Sequence, residues 1–221
     1  MKYQCRQFSA ASVQLSDSQL IGMGNRRRVF VHPDHSDLCI KVARVAHIRR
    51  QLDERGLTYK LMPTRWRDDN WLEAKAYQQP ALSQISGASQ NHIPTLHGWQ
   101  ETSLGIGLVF DYYHQGDGKP CPNLLDLILS QGVTADIKGA VGELSGYILE
   151  NSPWMRHPGP ANIVFGGDGH LKLIDCMGTF NMHVVRYIPA IRKRRRQRHI
   201  DYLHAAINRL HEQYVRAAAI S

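Results

Sequence analysis

The sequence predicts an α+β protein, with a small antiparallel sheet in its first half and mainly helices in its second half. Short runs of apolar and β-branched residues between turn-forming residues are typical of strands, and the first half contains five of them. They lie at 18–22, 27–32, 38–43, 93–101 and 104–112. The second half carries apolar residues at helical spacing, from Leu124 to Leu129 and from Ile137 to Ile148. We therefore expect an N-terminal lobe of residues 1–113 and a short, mainly helical C-terminal lobe of residues 114–221.

The segments between the predicted strands also carry signals. The polar segment 32–37 contains a proline and predicts a turn between the second and third strands. Residues 44–69 are basic and are expected to be helical in part. A helix over 70–79 should begin at Asn70, a good N-cap residue, and end before Pro80. The N-terminal lobe is thus predicted to pair a sheet with one well-defined helix.

The composition argues against several classes of protein. The 221 residues suffice for a sizeable core, and 43% hydrophobic with 21% charged residues is ordinary for a globular protein. We expect neither a signal peptide nor a membrane-spanning helix, because no apolar run is long enough. Four cysteines without a C-x-x-C pair and 12 histidines without ligand spacing predict neither a disulfide framework nor a structural zinc. The expected location is the cytoplasm.

The segment 160–178 carries the strongest chemical signal. Apolar residues flank the turn at 166–169, with Asn162 near the start of the segment and Asp175 near its end. This pattern predicts a β-hairpin that brings an amide and a carboxylate together. Oxygen ligands of this kind bind hard cations such as Mg²⁺. Asn162 and Asp175 are therefore the candidate metal ligands.

A second signal lies in the predicted sheet. Gly22 and Gly24 form a turn between two strands, where glycine lets backbone N–H groups lie close to phosphates. Lys41 projects from its strand on the face opposite its apolar neighbours, and is placed to contact nucleotide phosphates. It needs a carboxylate to hold it. Glu73 in the predicted helix is the first candidate, and Glu54 is the alternative.

Together these residues resemble the pattern of protein kinases. The glycine turn, strand lysine, helix glutamate, catalytic-loop asparagine and metal-binding aspartate occur in the kinase order. Within that fold the chain most resembles the small bacterial YrbL-type family of kinase-fold proteins, over residues 18–210. The resemblance implies a two-lobed, protein-kinase-like fold that uses ATP and Mg²⁺.

The resemblance also implies a role for each matching residue. Glu73 would hold Lys41 against the nucleotide phosphates, below the glycine turn. Asn162 and Asp175 would hold the metal ion. Asp111 would begin the hinge between the lobes, where backbone groups meet the adenine, although an ordinary strand end has the same sequence pattern.

Three departures from the kinase pattern bear on activity. His157 stands five positions before Asn162, where kinases carry the aspartate that accepts the substrate proton. Arg26–Arg28 follow the glycine turn in place of a third glycine, and the metal motif reads Asp-Cys-Met-Gly over residues 175–178. A positioned base contributes about 10²–10⁴-fold to a rate, so its loss slows an enzyme without silencing it. His157 is the base itself, a structural residue of a slow kinase, or a sign of nucleotide binding without turnover.

The formal net charge of +8 owes much to the run Arg192–Arg198, which has six cations in seven positions. A solvated helix face is the simplest interpretation, but such runs usually indicate an anionic partner. An acidic substrate or the inner face of the membrane is favoured over nucleic acid, because no nucleic-acid motif accompanies the run. The C-terminal lobe is also short for a kinase and is expected to lack the later helices that form a peptide-substrate platform, so the resemblance implies phosphate transfer to a non-peptide acceptor. A regulatory pseudokinase is the alternative, and a nucleic-acid-binding module built on residues 192–198 is the third hypothesis.

Overall fold

The computed structural model describes residues 12–54, 57–61, 68–78, 92–151, 155–156, 158–177 and 189–219. They form a mixed α+β protein with a five-stranded antiparallel sheet. The chain divides into two units. The first takes the described residues up to Tyr77 together with Thr95–Tyr112, and the second takes Gln78, 92–94 and the described residues from Tyr113 onward.

The sheet of the first unit has the spatial order β1-β2-β3-β5-β4, and all neighbouring strands are antiparallel. The strands are β1 (Leu20–Met23), β2 (Arg27–His32), β3 (His35–Ala43), β4 (Leu96–Thr102) and β5 (Gly105–Asp111). The antiparallel sheet predicted from the sequence is thereby confirmed. Each observed strand overlaps a predicted one.

The link between β2 and β3 is shorter than predicted. His32 pairs with His35 across the ladder, so that only Pro33 and Asp34 form the turn. The prediction of a turn over 32–37 is therefore wrong at its C-terminal end. The physical reason is that β3 begins with three exposed polar residues, which extend the strand beyond the core and read as a loop in the sequence.

One apolar cluster of the first unit lies on a single face of the sheet. Leu38, Ile40 and Val42 occupy alternate positions of β3, so their side chains share a face. They pack with Phe30 of β2 and Val109 of β5 in one buried cluster. Lys41 occupies the intervening position and is thereby placed on the other face.

Helices α1 (Val45–Glu54), α2 (Leu57–Lys60) and α3 (Asp69–Tyr77) follow β3 in the chain. The side chain of Asp68 accepts a hydrogen bond of 2.9 Å from the backbone N–H of Asn70, so Asp68 caps α3. The prediction of Asn70 as the N-cap is therefore wrong. Asp68 and Asn70 are both good capping residues, but the side chain of Asn70 bonds to Arg27 and to the backbone carbonyl of Lys41 instead.

The second unit combines helices with one β-hairpin. Its elements are α4 (Leu124–Gln131), α5 (Ala135–Asn151), β6 (Ile163–Phe165), β7 (Leu171–Leu173) and α6 (Pro189–Ala218). Asn123 caps α4 by accepting a 2.8 Å hydrogen bond from the backbone N–H of Asp126. A short 3₁₀ turn over Pro160–Asn162 leads into β6.

The two apolar stripes seen in the sequence form the core of the second unit. Leu124 and Ile128 of α4, Leu144 and Ile148 of α5, and Leu203 of α6 are all fully buried. Along the described part of the chain, the helices are too polar or too short to cross a bilayer.

Gly107 of β5 is closely packed against β3, the strand that carries Lys41. A Cβ at residue 107 would lie 2.5 Å from Cγ2 of Ile40 and 3.1 Å from the carbonyl oxygen of Lys41. We expect Gly107→Ala to lower the free energy of unfolding by about 1–3 kcal/mol, the usual effect of overpacking. Urea-induced unfolding measures the change.

Gly139 of α5 is the matched control, because a Cβ there would meet no atom within 4 Å. Gly139→Ala should raise the free energy of unfolding by about 0.5–1 kcal/mol, the difference between the two residues in a helix. If Gly107→Ala stabilised the protein as Gly139→Ala does, close packing of β3 against β5 at this point would be disproved.

Candidate functional site

Lys41 and Glu73 meet inside the first unit. Lys41 is central in β3 and Glu73 lies in α3, and Lys41 Nζ is 2.9 Å from Glu73 Oε1. The exposed fractions are 7% for Lys41 and 2% for Glu73, so the ion pair is shielded from water. Nζ of Lys41 also lies 4.5 Å from the ring centroid of Phe110, a favourable cation–π geometry.

Arg27 is a second cation on the same carboxylate. Its guanidinium donates to Glu73 Oε2, and also to the side-chain oxygen of Asn70 at 3.2 Å. Asn70 in turn donates to the backbone carbonyl of Lys41 at 2.9 Å. Arg27, Lys41, Asn70 and Glu73 therefore form one buried polar cluster that joins β2, β3 and α3.

The electrostatics of the cluster follow from burial and from the two cations. Burial alone would raise the pKa of Glu73, but the charges and hydrogen bonds of Lys41 and Arg27 bring it below its ordinary value. Burial lowers the pKa of Lys41, and the nearby Arg27 charge acts in the same direction against the opposing effect of Glu73. Glu73 is consequently ionised at neutral pH and carries the negative charge of the cluster.

The alternative partner, Glu54, lies at the end of α1 and is exposed. The structure thus brings Lys41 to Glu73. The sequence reasoning missed Arg27, which it treated only as part of a basic run beside the glycine turn. Arg27 begins β2, the strand that also contains the buried Phe30. A cation at the start of a core strand is the signal that could have identified Arg27 as a member of the cluster.

The glycine turn connects β1 to β2. Gly22 pairs with Val29, and the backbone N–H of Gly24 donates to the carbonyl of Arg27 at 2.9 Å. Arg44 donates to the carbonyl of Gly24 at 3.0 Å. Neither glycine has a positive φ, and a Cβ on either would approach no atom closer than 3.7 Å. Packing within the described residues therefore does not require glycine at these two positions.

The hairpin of the second unit brings Asn162 and Asp175 to the same end. Ile163 pairs with Leu173, and the backbone N–H of Ile174 donates to the carbonyl of Asn162 at 2.9 Å. Asp175 has a φ of +54° and is the one non-glycine residue in the left-handed region among the described residues. A carboxylate on strained backbone is a common feature of functional sites.

Asp111 ends β5 and its carboxylate is engaged within the first unit. One oxygen lies 2.7 Å from Nε2 of His97, and the other accepts a 2.7 Å hydrogen bond from the backbone N–H of Thr95. Burial would raise the pKa of Asp111, but these hydrogen bonds lower it below its ordinary value. The carboxylate thus ties β5 to the segment that enters β4.

Two other sequence predictions fall on the second unit. His157 lies outside the described residues. The basic run occupies the first turns of α6, where Arg194, Arg195, Arg198 and His199 line a cavity of about 540 Å³. Cations of this run therefore face an open space large enough for a small ligand.

Comparison with known proteins identifies the family. A family model described as PhoP regulatory network protein YrbL matches residues 13–208. The chain belongs to the YrbL family. Two curated relatives, uncharacterised proteins named YrbL from Escherichia coli (strain K12) and Shigella flexneri, are each 28% identical over 155 residues. Each match covers 69% of this chain and 65% of the relative, so the chain spans less than two thirds of the length of these YrbL proteins.

The shared carboxylate makes the cluster sensitive to which member is removed. Glu73→Gln would leave two buried cations without their anion, and we expect the free energy of unfolding to fall by about 3–5 kcal/mol. Lys41→Met should cost less, because the contact between Arg27 and Glu73 survives. Urea-induced unfolding of both variants gives the comparison.

The exposed pair of Glu212 and Arg216 on α6 supplies the control. Glu212→Gln should change the free energy of unfolding by no more than about 1 kcal/mol, as usual for a surface ion pair. An equal or larger loss for Lys41→Met than for Glu73→Gln would contradict the central position of the carboxylate.

Asp111 should contribute to the acid stability of the first unit. Because its pKa is lower in the folded than in the unfolded protein, its contribution is complete above the unfolded pKa of about 3.9 and is lost as the pH falls through the folded value. Asp111→Asn should therefore be less stable than the wild type at pH 7, and the difference should shrink below about pH 4. Unfolding in urea between pH 3 and pH 7 tests this. A difference that stays constant down to pH 3 would refute the assignment.

Proposed function

We propose that this protein is a kinase-like phosphotransferase, which binds ATP with Mg²⁺ and transfers a phosphoryl group to an anionic, non-peptide acceptor. The observation that carries the proposal is the buried contact between Lys41 and Glu73. The order of the remaining motifs along the chain supports it. The description of that family extends the proposal to a role in the PhoP regulatory network.

The buried contact is better explained by function than by stability. Removing two charges from water costs as much free energy as their attraction returns, and an apolar pair would often stabilise a fold equally well. In phosphoryl transfer, by contrast, the protein contributes mainly fixed charges at fixed positions. A lysine held by a carboxylate is such a fixed charge. The positive charge of Lys41 would orient the nucleotide phosphates.

The glycine turn supports a phosphate site in the same unit. Gly22 and Gly24 have no steric need to be glycine within the described residues, whereas a phosphate lying on the turn would require backbone without side chains. Arg27 and Arg26, which follow the turn, contact Glu73 and Asp69 of α3. These contacts would keep the turn at a fixed distance from the helix that holds Lys41.

The hairpin end supplies the proposed metal ligands in the second unit. Asn162 and Asp175 offer an amide oxygen and a carboxylate, the ligand types that Mg²⁺ prefers. The left-handed backbone of Asp175 is uncommon outside glycine, and such residues cluster at functional sites. Mg²⁺ supplies charge neutralisation of the phosphates when it is bound.

The acceptor is proposed to be anionic because of α6. Arg194, Arg195 and Arg198 present guanidinium groups beside one cavity, and guanidinium binds phosphate and carboxylate groups through paired hydrogen bonds. An acidic small molecule or lipid headgroup fits this chemistry. The cytoplasm and the inner face of the membrane are the compartments consistent with the proposal.

Nucleotide binding without turnover is the second candidate, and the observation that favours it is His157 in place of the kinase aspartate. Neutral imidazole can accept a proton near neutral pH, so His157 also remains the proposed base of the active alternative. Both candidate functions predict that the protein binds ATP. Only the phosphotransferase would release ADP after phosphate transfer.

Asp175→Asn tests the metal role, since asparagine tolerates left-handed backbone but carries no charge. We expect Mg²⁺ with ATP at about 100 times its dissociation constant to stabilise the wild-type protein by about 2.7 kcal/mol. For a chain of this size the melting temperature should rise by roughly 5–10 °C. Asp175→Asn should lose the Mg²⁺-dependent part of this rise, and Lys41→Met should lose most of it.

Asp168→Asn is the matched control, because Asp168 is a carboxylate of the same hairpin that pairs with Lys172 instead. It should retain the full response to nucleotide. A wild-type melting temperature that is unaffected by ATP or ADP, with or without Mg²⁺, would overturn the proposal. Release of ADP in the presence of acidic acceptors would distinguish the enzyme from the nucleotide-binding alternative.

A further inference from the structure

Two histidines and a glutamate from three separate segments of the second unit lie close together. They are His92, Glu143 of α5, and His170 beside β7. One ring nitrogen from each histidine and one carboxylate oxygen all lie within 4.8 Å of one another. The set is distinct from Asn162 and Asp175, which lie at the opposite end of the hairpin.

His92 is the interior member of the cluster and its ring is held in place. The residue is 7% exposed, and its Nδ1 lies 2.8 Å from the carbonyl oxygen of Leu171. A carbonyl can only accept, so Nδ1 carries the proton and Nε2 carries the lone pair. The ring of Tyr147 packs 5.1 Å away, between centroids. Burial lowers the pKa of His92, a direction that favours the neutral imidazole.

His170 and Glu143 form the outer side of the cluster. Nδ1 of His170 donates a hydrogen bond to Oε2 of Glu143 at 3.1 Å, and a cation bound between these two atoms would replace that proton; the side chains are 34% and 58% exposed. Ligands at 2.0–2.2 Å in a tetrahedral zinc site lie roughly 3.4 Å apart, so this pair is already near that spacing. The other separations in the cluster are at most 4.8 Å, so binding requires the side chains to move closer together.

We propose that His92, Glu143 and His170 bind a zinc-class divalent cation. Two imidazoles and one carboxylate suit Zn²⁺ better than Mg²⁺ or Ca²⁺, which prefer oxygen ligands throughout. A carbonyl that fixes the proton on the other nitrogen of a ligating histidine is the usual outer partner of such sites. Three protein ligands leave a fourth position for water, and the exposed side of the cluster gives the cation a way in.

A cation bound at this site would link three segments of the second unit. His170 follows the turn at 166–169 that joins β6 to β7, whereas Glu143 lies in the middle of α5. A bound cation would therefore fasten the tip of the hairpin to α5 and to the segment 92–94. The prediction from the sequence that no structural zinc is present overlooked this set, because its members are separated by 51 and 27 positions in the chain.

Zinc titration of the full chain tests the proposal. Competition with a chromophoric chelator at pH 7.5 should show one tightly bound Zn²⁺ per chain. His92→Gln, Glu143→Gln and His170→Gln should each weaken that binding by at least about tenfold, since even the loss of outer partners has this effect. Zn²⁺ should also raise the melting temperature of the wild-type protein more than that of any of the three variants.

Two controls separate this site from adventitious binding to other histidines. His114→Gln removes a histidine of the same unit outside the cluster, and Asp168→Asn removes a carboxylate of the nearby turn; both should bind Zn²⁺ as the wild type does. Glu143 and His170 are partly exposed, so their variants should fold even if His92→Gln does not. Wild-type affinity in either Glu143→Gln or His170→Gln would overturn the proposal, as would the absence of a tightly bound equivalent in the wild-type protein.

Discussion

A single carboxylate, that of Glu73, fixes the arrangement of the first unit. Its two oxygens contact cations from β2 and β3, and Asn70, one turn earlier in the same helix, contacts both strands as well. Because the cluster is almost completely buried, water cannot replace a lost partner. A shift of either strand by one residue would move Arg27 or Lys41 to the other face of the sheet and leave a charge in the apolar core. The cluster therefore specifies register as well as position.

The features that the sequence predicted well are those encoded by local periodicity. Short apolar and β-branched runs located all five strands of the sheet, and helical spacing located α4 and α5 within a few residues. The errors lie where two local signals compete. Asp68 and Asn70 are both good N-caps, and only the buried contacts of Asn70 decide between them. Likewise, the polar start of β3 has a turn-like composition but is held in the ladder by pairing with β2.

The proximity of two site residues could be predicted from the sequence only where both residues belong to the same local motif. Asn162 and Asp175 share a hairpin, so turn chemistry alone implied that they approach each other. Lys41 and Glu73 are 32 positions apart, and the sequence could only rank Glu73 before Glu54. The contact of Arg27 with Glu73, and the approach of His92 to α5, depend on tertiary packing between segments distant in the chain. No spacing rule encodes such contacts, which is why they were missed.

The position of the basic run within α6 has a consequence for the helix itself. Its cations lie near the N-terminal end, where the aligned peptide dipoles already present partial positive charge, and no acidic residue precedes Asp201 in the helix. Dipole and side chains therefore repel each other, whereas the same run at the C-terminal end would have been stabilising. The run therefore destabilises the start of α6, and salt that screens the repulsion will strengthen it.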